Sequence, residues 1–127
     1  MSNVVLDAGA LIALERDDRA MWIAFKVAAV AGDSLIVPST VLAQVWRARG
    51  SQARLSQALS QCAVAAFDPL ARSVGELCAK TRTSDICDAH VALVAASAGG
   101  VLYTSDPNDL RPLVAACRRL RPVIVPC

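Results

Sequence analysis

The chain is most constrained by a rhythm. Apolar runs of strand length are each followed by a segment of helix length. Val4-Val5-Leu6, Leu35-Ile36-Val37, Val101-Leu102-Tyr103 and Val123-Ile124-Val125 are examples of the runs. They are too short for helices and are apolar at successive positions, which is the signature of strands covered on both faces. The pattern predicts strands over 3–6, 34–37, 63–67, 101–104 and 123–125. The last lies between Pro122 and Pro126, which suits a sheet edge.

Helices are expected over 11–14, 18–31, 52–60, 85–97 and 109–117. One more should start at Ser39 or Thr40 and end near Gly50, and another should open at Asp68-Pro69. Thr83-Ser84 offers a cap for the helix over 85–97, and Gly99-Gly100 offers its stop. Strands alternating with helices imply an α/β fold, a three-layer α/β/α sandwich with a central parallel sheet. The length of 127 residues suits one domain, and 55% apolar residues supply its core. That content excludes a disordered chain.

In open sheets of this kind, ligands bind beyond the carboxyl ends of the strands. Acidic residues fall there. Asp7 follows the first strand, and Asp106 follows the fourth. Asp88 lies in the first turn of a helix whose N-terminus should face the same edge. Asp85 is three residues earlier, on the same helix face, and Asp109 is one turn beyond Asp106. Carboxylates gathered this way stay ionised together only if a cation offsets their repulsion. An oxygen-only donor set suits Mg²⁺ or Mn²⁺, and such ions activate water toward phosphodiesters.

Each acid also has a structural reading. Asp85 and Asp88 suit a helix N-terminus, Asp106 suits a turn, and Asp109 suits an exposed helix start. Asp7 is harder to explain that way, because it interrupts an apolar stretch where burial without a partner is costly.

The net charge of +2 at pH 7 does not by itself indicate nucleic acid. Arginine outnumbers lysine and clusters at Arg47, Arg49 and Arg54, and again at Arg111, Arg118, Arg119 and Arg121. Arg47 and Arg49, expected on the same helix as Gln44, are the first choice for contacting phosphate. The five cysteines form no CxxC pair and there is one histidine, which argues against a zinc site. They read as small apolar residues in a reducing compartment, so a cytoplasmic protein with no membrane segment is expected. His90 is expected to be packed. Trp22 and Trp46 are expected in the core, or lining a partner groove or dimer seam.

Three segments together resemble the PIN-domain family, and within it the VapC-type toxin ribonucleases of type II toxin–antitoxin systems. They are Val-Val-Leu-Asp7-Ala-Gly-Ala-Leu, Asp88-Ala-His-Val-Ala-Leu and Val-Leu-Tyr-Thr-Ser-Asp106-Pro-Asn-Asp. The resemblance covers nearly the whole chain and implies a single PIN domain over residues 1–127. It implies a Mg²⁺- or Mn²⁺-dependent endoribonuclease acting on structured RNA, a homodimer, and a VapB-type antitoxin that blocks the site. Asp7, Asp88 and Asp106 match family acids, and Thr104 matches a polar position beside the last of them. Gln44 stands where the family pattern places glutamate. Glutamine offers an oxygen but no charge. Asp85 is therefore expected to share the metal site.

Two readings compete. A PIN-like module could bind RNA or a partner without cutting it, and Gln44 is the feature that favours this. Other small α/β proteins also carry an acid after the first strand. A receiver domain wants an acidic pair there and a lysine after a late strand, and an aspartyl phosphatase wants Asp-x-Asp. The chain has Asp7-Ala-Gly9 and no such lysine.

Overall fold

A computed structural model describes residues 2–127. The strands are β1 (Asn3–Leu6), β2 (Ser34–Pro38), β3 (Ala63–Ala65), β4 (Val101–Thr104) and β5 (Val123–Pro126). They form one sheet in the order β3-β2-β1-β4-β5, with every neighbouring pair parallel. In register, Val5 lies between Ile36 and Leu102. Val4, Val5 and Leu6 are all buried, as a central strand covered on both faces requires. The chain starts in the middle of the sheet, builds one side with β2 and β3, then crosses to build the other with β4 and β5. The switch falls between β1 and β4, which is where such sheets open a crevice.

The helices are α1 (Ala8–Glu15), α2 (Arg19–Val30), α3 (Ser39–Val45), α4 (Ala53–Leu59), α5 (Ala71–Thr81), α6 (Ile86–Ala98) and α7 (Pro107–Ala116). α1 packs with α2 and α4, while α5, α6 and α7 pack together and α6 lies on β1 and β2. α3 touches both α1 and α6, so it spans the carboxyl edge between the layers. The three-layer α/β/α sandwich around a parallel sheet is the architecture the strand–helix rhythm predicts. One apolar cluster runs through it, including Leu6, Leu11, Phe25, Val37, Leu55, Val74, Leu102 and Leu110. The centre of α6 is buried continuously from Ala89 to Ala96, because the helix is covered by the sheet and by its two neighbours.

Several local expectations are corrected. α1 starts at Ala8, directly after Asp7, rather than near Leu11. Neither Ser39 nor Thr40 caps α3, whose N-cap position is Pro38. The Ser39 hydroxyl instead accepts the Phe67 N–H at 3.0 Å. That bond draws the chain away from the ladder, and β3 ends at Ala65 rather than Phe67. Asp85, not Thr83 or Ser84, caps α6 by accepting the Asp88 N–H at 2.9 Å. Thr83 accepts the Asp85 N–H. α7 begins at Pro107, two residues before the expected start.

The turn into β4 depends on glycine. Gly100 has φ +74, and a Cβ there would collide with the Asn3 carbonyl oxygen of β1. Both the conformation and the close approach exclude a side chain. Gly100→Ala is therefore expected to lower unfolding stability by more than about 2 kcal/mol, read by urea denaturation. A loss below about 0.5 kcal/mol would show that the β1–β4 approach tolerates a side chain.

Candidate metal centre

β1 delivers Asp7 to the carboxyl edge, and the helix that follows at once makes it the N-cap of α1. Its Oδ1 accepts the Ala10 N–H at 3.2 Å. The residue is only 6% exposed. Burial pushes its carboxyl above the ordinary value. A hydrogen bond from Thr104 and the N–H groups of Ala10 and Gly9 oppose that rise, and the nearby Asp106 charge adds to it.

Thr104 is the joint of the site. It ends β4, is fully buried, and its hydroxyl accepts the Asp106 N–H at 2.9 Å while bonding the Asp7 carboxylate. A hydroxyl has one proton to give and two lone pairs, so this single group serves both acids without conflict. Gly9 permits the approach from the other side, because a Cβ there would strike Ser105. Asp106 occupies the N-cap position of α7, but its side chain makes no capping bond and is exposed. The carboxylate is free for a ligand.

Asp88 enters from α6. Its carboxyl is pushed from an ordinary 3.8 up to about 6, first by burial, then by Asp85, with Asp106 and Asp109 adding to it. Asp106 thus acts on both Asp7 and Asp88, which puts the three family-matching acids in one electrostatic neighbourhood. Asp85 and Asp88 share a hollow of about 320 Å³ with Thr83, Asn108 and Asp109. Asp85 thus caps its helix and also faces the acids.

Gln44 lies apart from that hollow. It is exposed on α3 and lines a separate groove with Ala8, Ile12, Glu15, Arg47 and Arg49. Arg47 and Arg49 do not share its helix as expected. α3 ends at Val45, and residue 46 is already extended, with ψ 131. The Arg47 N–H donates to Gln52 Oε1 at 2.8 Å, while the Ala43 carbonyl takes the Arg47 guanidinium at 3.1 Å. The bond that would have continued the helix is thereby replaced.

The remaining expectations divide. His90 is fully buried, with Nδ1 bonded to Thr40 at 2.8 Å and its ring edge-on to Phe67. Among the described residues its Nε2 has no hydrogen-bond partner, and burial lowers its pKa. Trp22 is half-buried, donates to the Leu14 carbonyl, and lines a hollow of about 480 Å³ with Ile23, Lys26 and Arg54, away from the acids. Trp46 is exposed rather than in the core, because the helix that would have buried it stops. All five cysteines are free. No helix among the described residues is long and apolar enough to cross a membrane.

Two contributors escaped the sequence reading. Gln52 and Glu15, paired at 2.8 Å, both line the Gln44 groove. Cys127 reaches the acidic edge through its N–H bond to the Thr104 carbonyl. Burial, with the charges of Asp7 and Asp18, pushes its thiol up to about 11. A terminal cysteine gives no sequence signal of this kind.

The donor chemistry suits a hard divalent cation. Among the described residues, however, no three Asp, Glu, His or Cys side chains converge closely enough to hold an ion by themselves. The acids stand apart as like charges do, and water would have to complete the coordination, which Mg²⁺ commonly retains. Asp88 gives this a pH signature. A carboxyl raised in the folded state favours the protonated form, so its stabilisation is complete below about pH 4 and is lost as pH rises through about 6. The Tm of the cation-free protein is expected to fall across that window, and Asp88→Asn should flatten the fall. Mn²⁺ at neutral pH should raise the Tm of the wild type more than that of Asp88→Asn. Equal shifts in both would remove Asp88 from the site.

No family model and no curated protein matches the sequence. Among solved structures, the chain superposes on one in the crystal structure of VapBC2 from Rickettsia felis bound to a DNA fragment from their promoter. The TM-score is 0.68 over 98% of both chains, at 15% identity. At that identity the likeness establishes the fold, which is the PIN-like three-layer sandwich implied by the ordered acidic motifs.

Proposed function

We propose that the chain is the toxin of a toxin–antitoxin pair, a metal-dependent endoribonuclease that hydrolyses phosphodiester bonds in structured cellular RNA of the tRNA or rRNA class. The observation that carries this reading is the coupling of Asp7, Asp88 and Asp106 at the switch point of a PIN-like sheet. Burial and like-charged neighbours raise Asp7 and Asp88 at one edge, which marks acids arranged for a cation rather than for stability.

Mg²⁺ or Mn²⁺ would be held by Asp7, Asp88 and Asp106, with Asp85 supplying the charge that Gln44 lacks. When bound, the ion supplies charge neutralisation and a more acidic water against the RNA phosphate. The chain's own residues do the positioning. Thr104 sets the angle between Asp7 and Asp106, and Asp7 is held from below by α1. Gln44, Arg47 and Arg49 border the approach to Asp7 and would meet the RNA backbone.

A VapB-type antitoxin as partner follows from the resemblance and from the neighbour's description as VapBC2 bound to promoter DNA. The exposed stripe of Ile23, Val27 and Val30 on α2 supports a protein partner or a homodimer, because water-facing apolar residues at helical spacing mark a contact face. A cytoplasmic setting fits the five free cysteines.

Gln44 also favours a second reading, a PIN-like module that binds RNA or a partner with weak or no cutting. Purified protein incubated with total RNA and Mn²⁺ separates the two. Cleavage is expected, abolished by chelation and reduced about 100-fold or more by Asp88→Ala. Sequencing the new RNA ends after induction in cells would locate the target. No cleavage of any cellular RNA would leave the binding module. Gln44→Glu is expected to lower the Mn²⁺ concentration for half-maximal cleavage about fivefold, as ~1 kcal/mol of added attraction would do. An unchanged requirement would place residue 44 outside the cation's reach.

A further inference from the structure

After α3 the chain is extended at Trp46 and again at Arg49, turns between them at Ala48 with φ 56, and enters a short 3-10 turn over Gly50–Gln52. A non-glycine residue in the left-handed region persists only where its surroundings hold it. Here one side chain does so. Gln52 is 3% exposed and uses its whole amide. Its Oε1 accepts the N–H of Arg47 at 2.8 Å and, more weakly, that of Arg49 at 3.5 Å. Its Nε2 donates to the Val45 carbonyl at 2.9 Å and to Glu15 at 2.8 Å. The end of α3, the arginine segment and α1 are thus tied at one point.

The consequence lies on the surface above. The Arg47 guanidinium folds back to the Ala43 and Trp46 carbonyls, so its direction is set. Arg49 is exposed and makes no ion pair among the described residues. Both line the groove of about 230 Å³ that contains Gln44 and Ala8, the residue after Asp7. An exposed arginine on a free loop would spend most of its time in other directions, and a guanidinium held in place loses less freedom on binding.

We propose that Gln52 is a positioning residue, which locks residues 46–49 so that Arg47 and Arg49 form a fixed anion-binding rim. The rim's ligand is the phosphodiester backbone of an RNA strand passing over Gln44 toward Asp7. The choice of RNA rests on the nuclease reading above; the latch itself does not.

The test uses the wild-type chain and its variants in EDTA, with a fluorescent single-stranded RNA oligonucleotide read by anisotropy from roughly 50 to 200 mM salt. Arg49→Ala is expected to weaken binding about fivefold and to reduce the salt slope by about 0.7, the value for one lost phosphate contact on a single strand. Gln52→Met keeps the volume, removes no charge, and is expected to weaken binding and flatten the slope too. In the double variant, the Arg49 effect should largely vanish. Amide exchange at Arg47 should quicken in Gln52→Met. Should that variant fail to fold, Gln52→Asn shortens the amide out of reach of its partners without changing any charge, and is expected to shift binding in the same direction. Additive effects of Arg49→Ala and Gln52→Met, or no RNA binding at all, would overturn the proposal. RNA cleavage with no dependence on this rim sinks the inference and spares the nuclease reading. Latch-dependent binding without cleavage does the reverse.

Discussion

A carboxylate held almost out of water at the end of a central strand loses hydration that its surroundings must replace. Asp7 is that group, and the site is organised around it. Three sources compensate: the N–H groups at the start of α1, the Thr104 hydroxyl, and the residual exposure of the edge itself. The first is local to the chain, whereas the second exists only through the topology. β1 and β4 lie side by side because the chain reverses its direction of sheet building between them. That adjacency sets the end of β4 against the end of β1, so one buried threonine reaches the acids of both.

The same edge holds more negative charge than it can neutralise internally. Asp88 shows the strain most clearly, since burial and three other acids raise it together. Asp85 contributes to that rise while doing ordinary work as a helix cap. Gln44, in a neighbouring groove, adds no charge to that balance. Its groove holds Arg47 and Arg49 beside one acid, Glu15, whose carboxylate accepts from the Gln52 amide, so the edge divides into an acidic hollow and an arginine-bordered approach.

The end of α3 shows how one hydrogen bond redirects a chain. Helix propensity alone does not stop α3 at Val45, since the next residues are tolerated in helices. What stops it is competition for the Arg47 N–H, won by a buried glutamine that arrives seven residues after Val45. Trp46 is left exposed, and both arginines are turned outward as a consequence.

Periodicity in the sequence determined the layers, the parallel sheet and the edge at which the acids gather, because burial on two faces requires continuous apolar runs. It placed Asp7, Asp88 and Asp106 toward one edge, since strand ends and helix starts of a parallel sheet share that edge. It could not determine the caps, the limit of β3 or the path of residues 46–49. Those were decided by side chains distant in sequence that outcompeted local partners, as with Ser39 taking the Phe67 N–H and Gln52 taking that of Arg47. The tertiary structure alone set Gln44 apart from the acidic hollow and brought Thr104 onto two acids at once. Distances between elements depend on how the layers pack, and no local pattern encodes them.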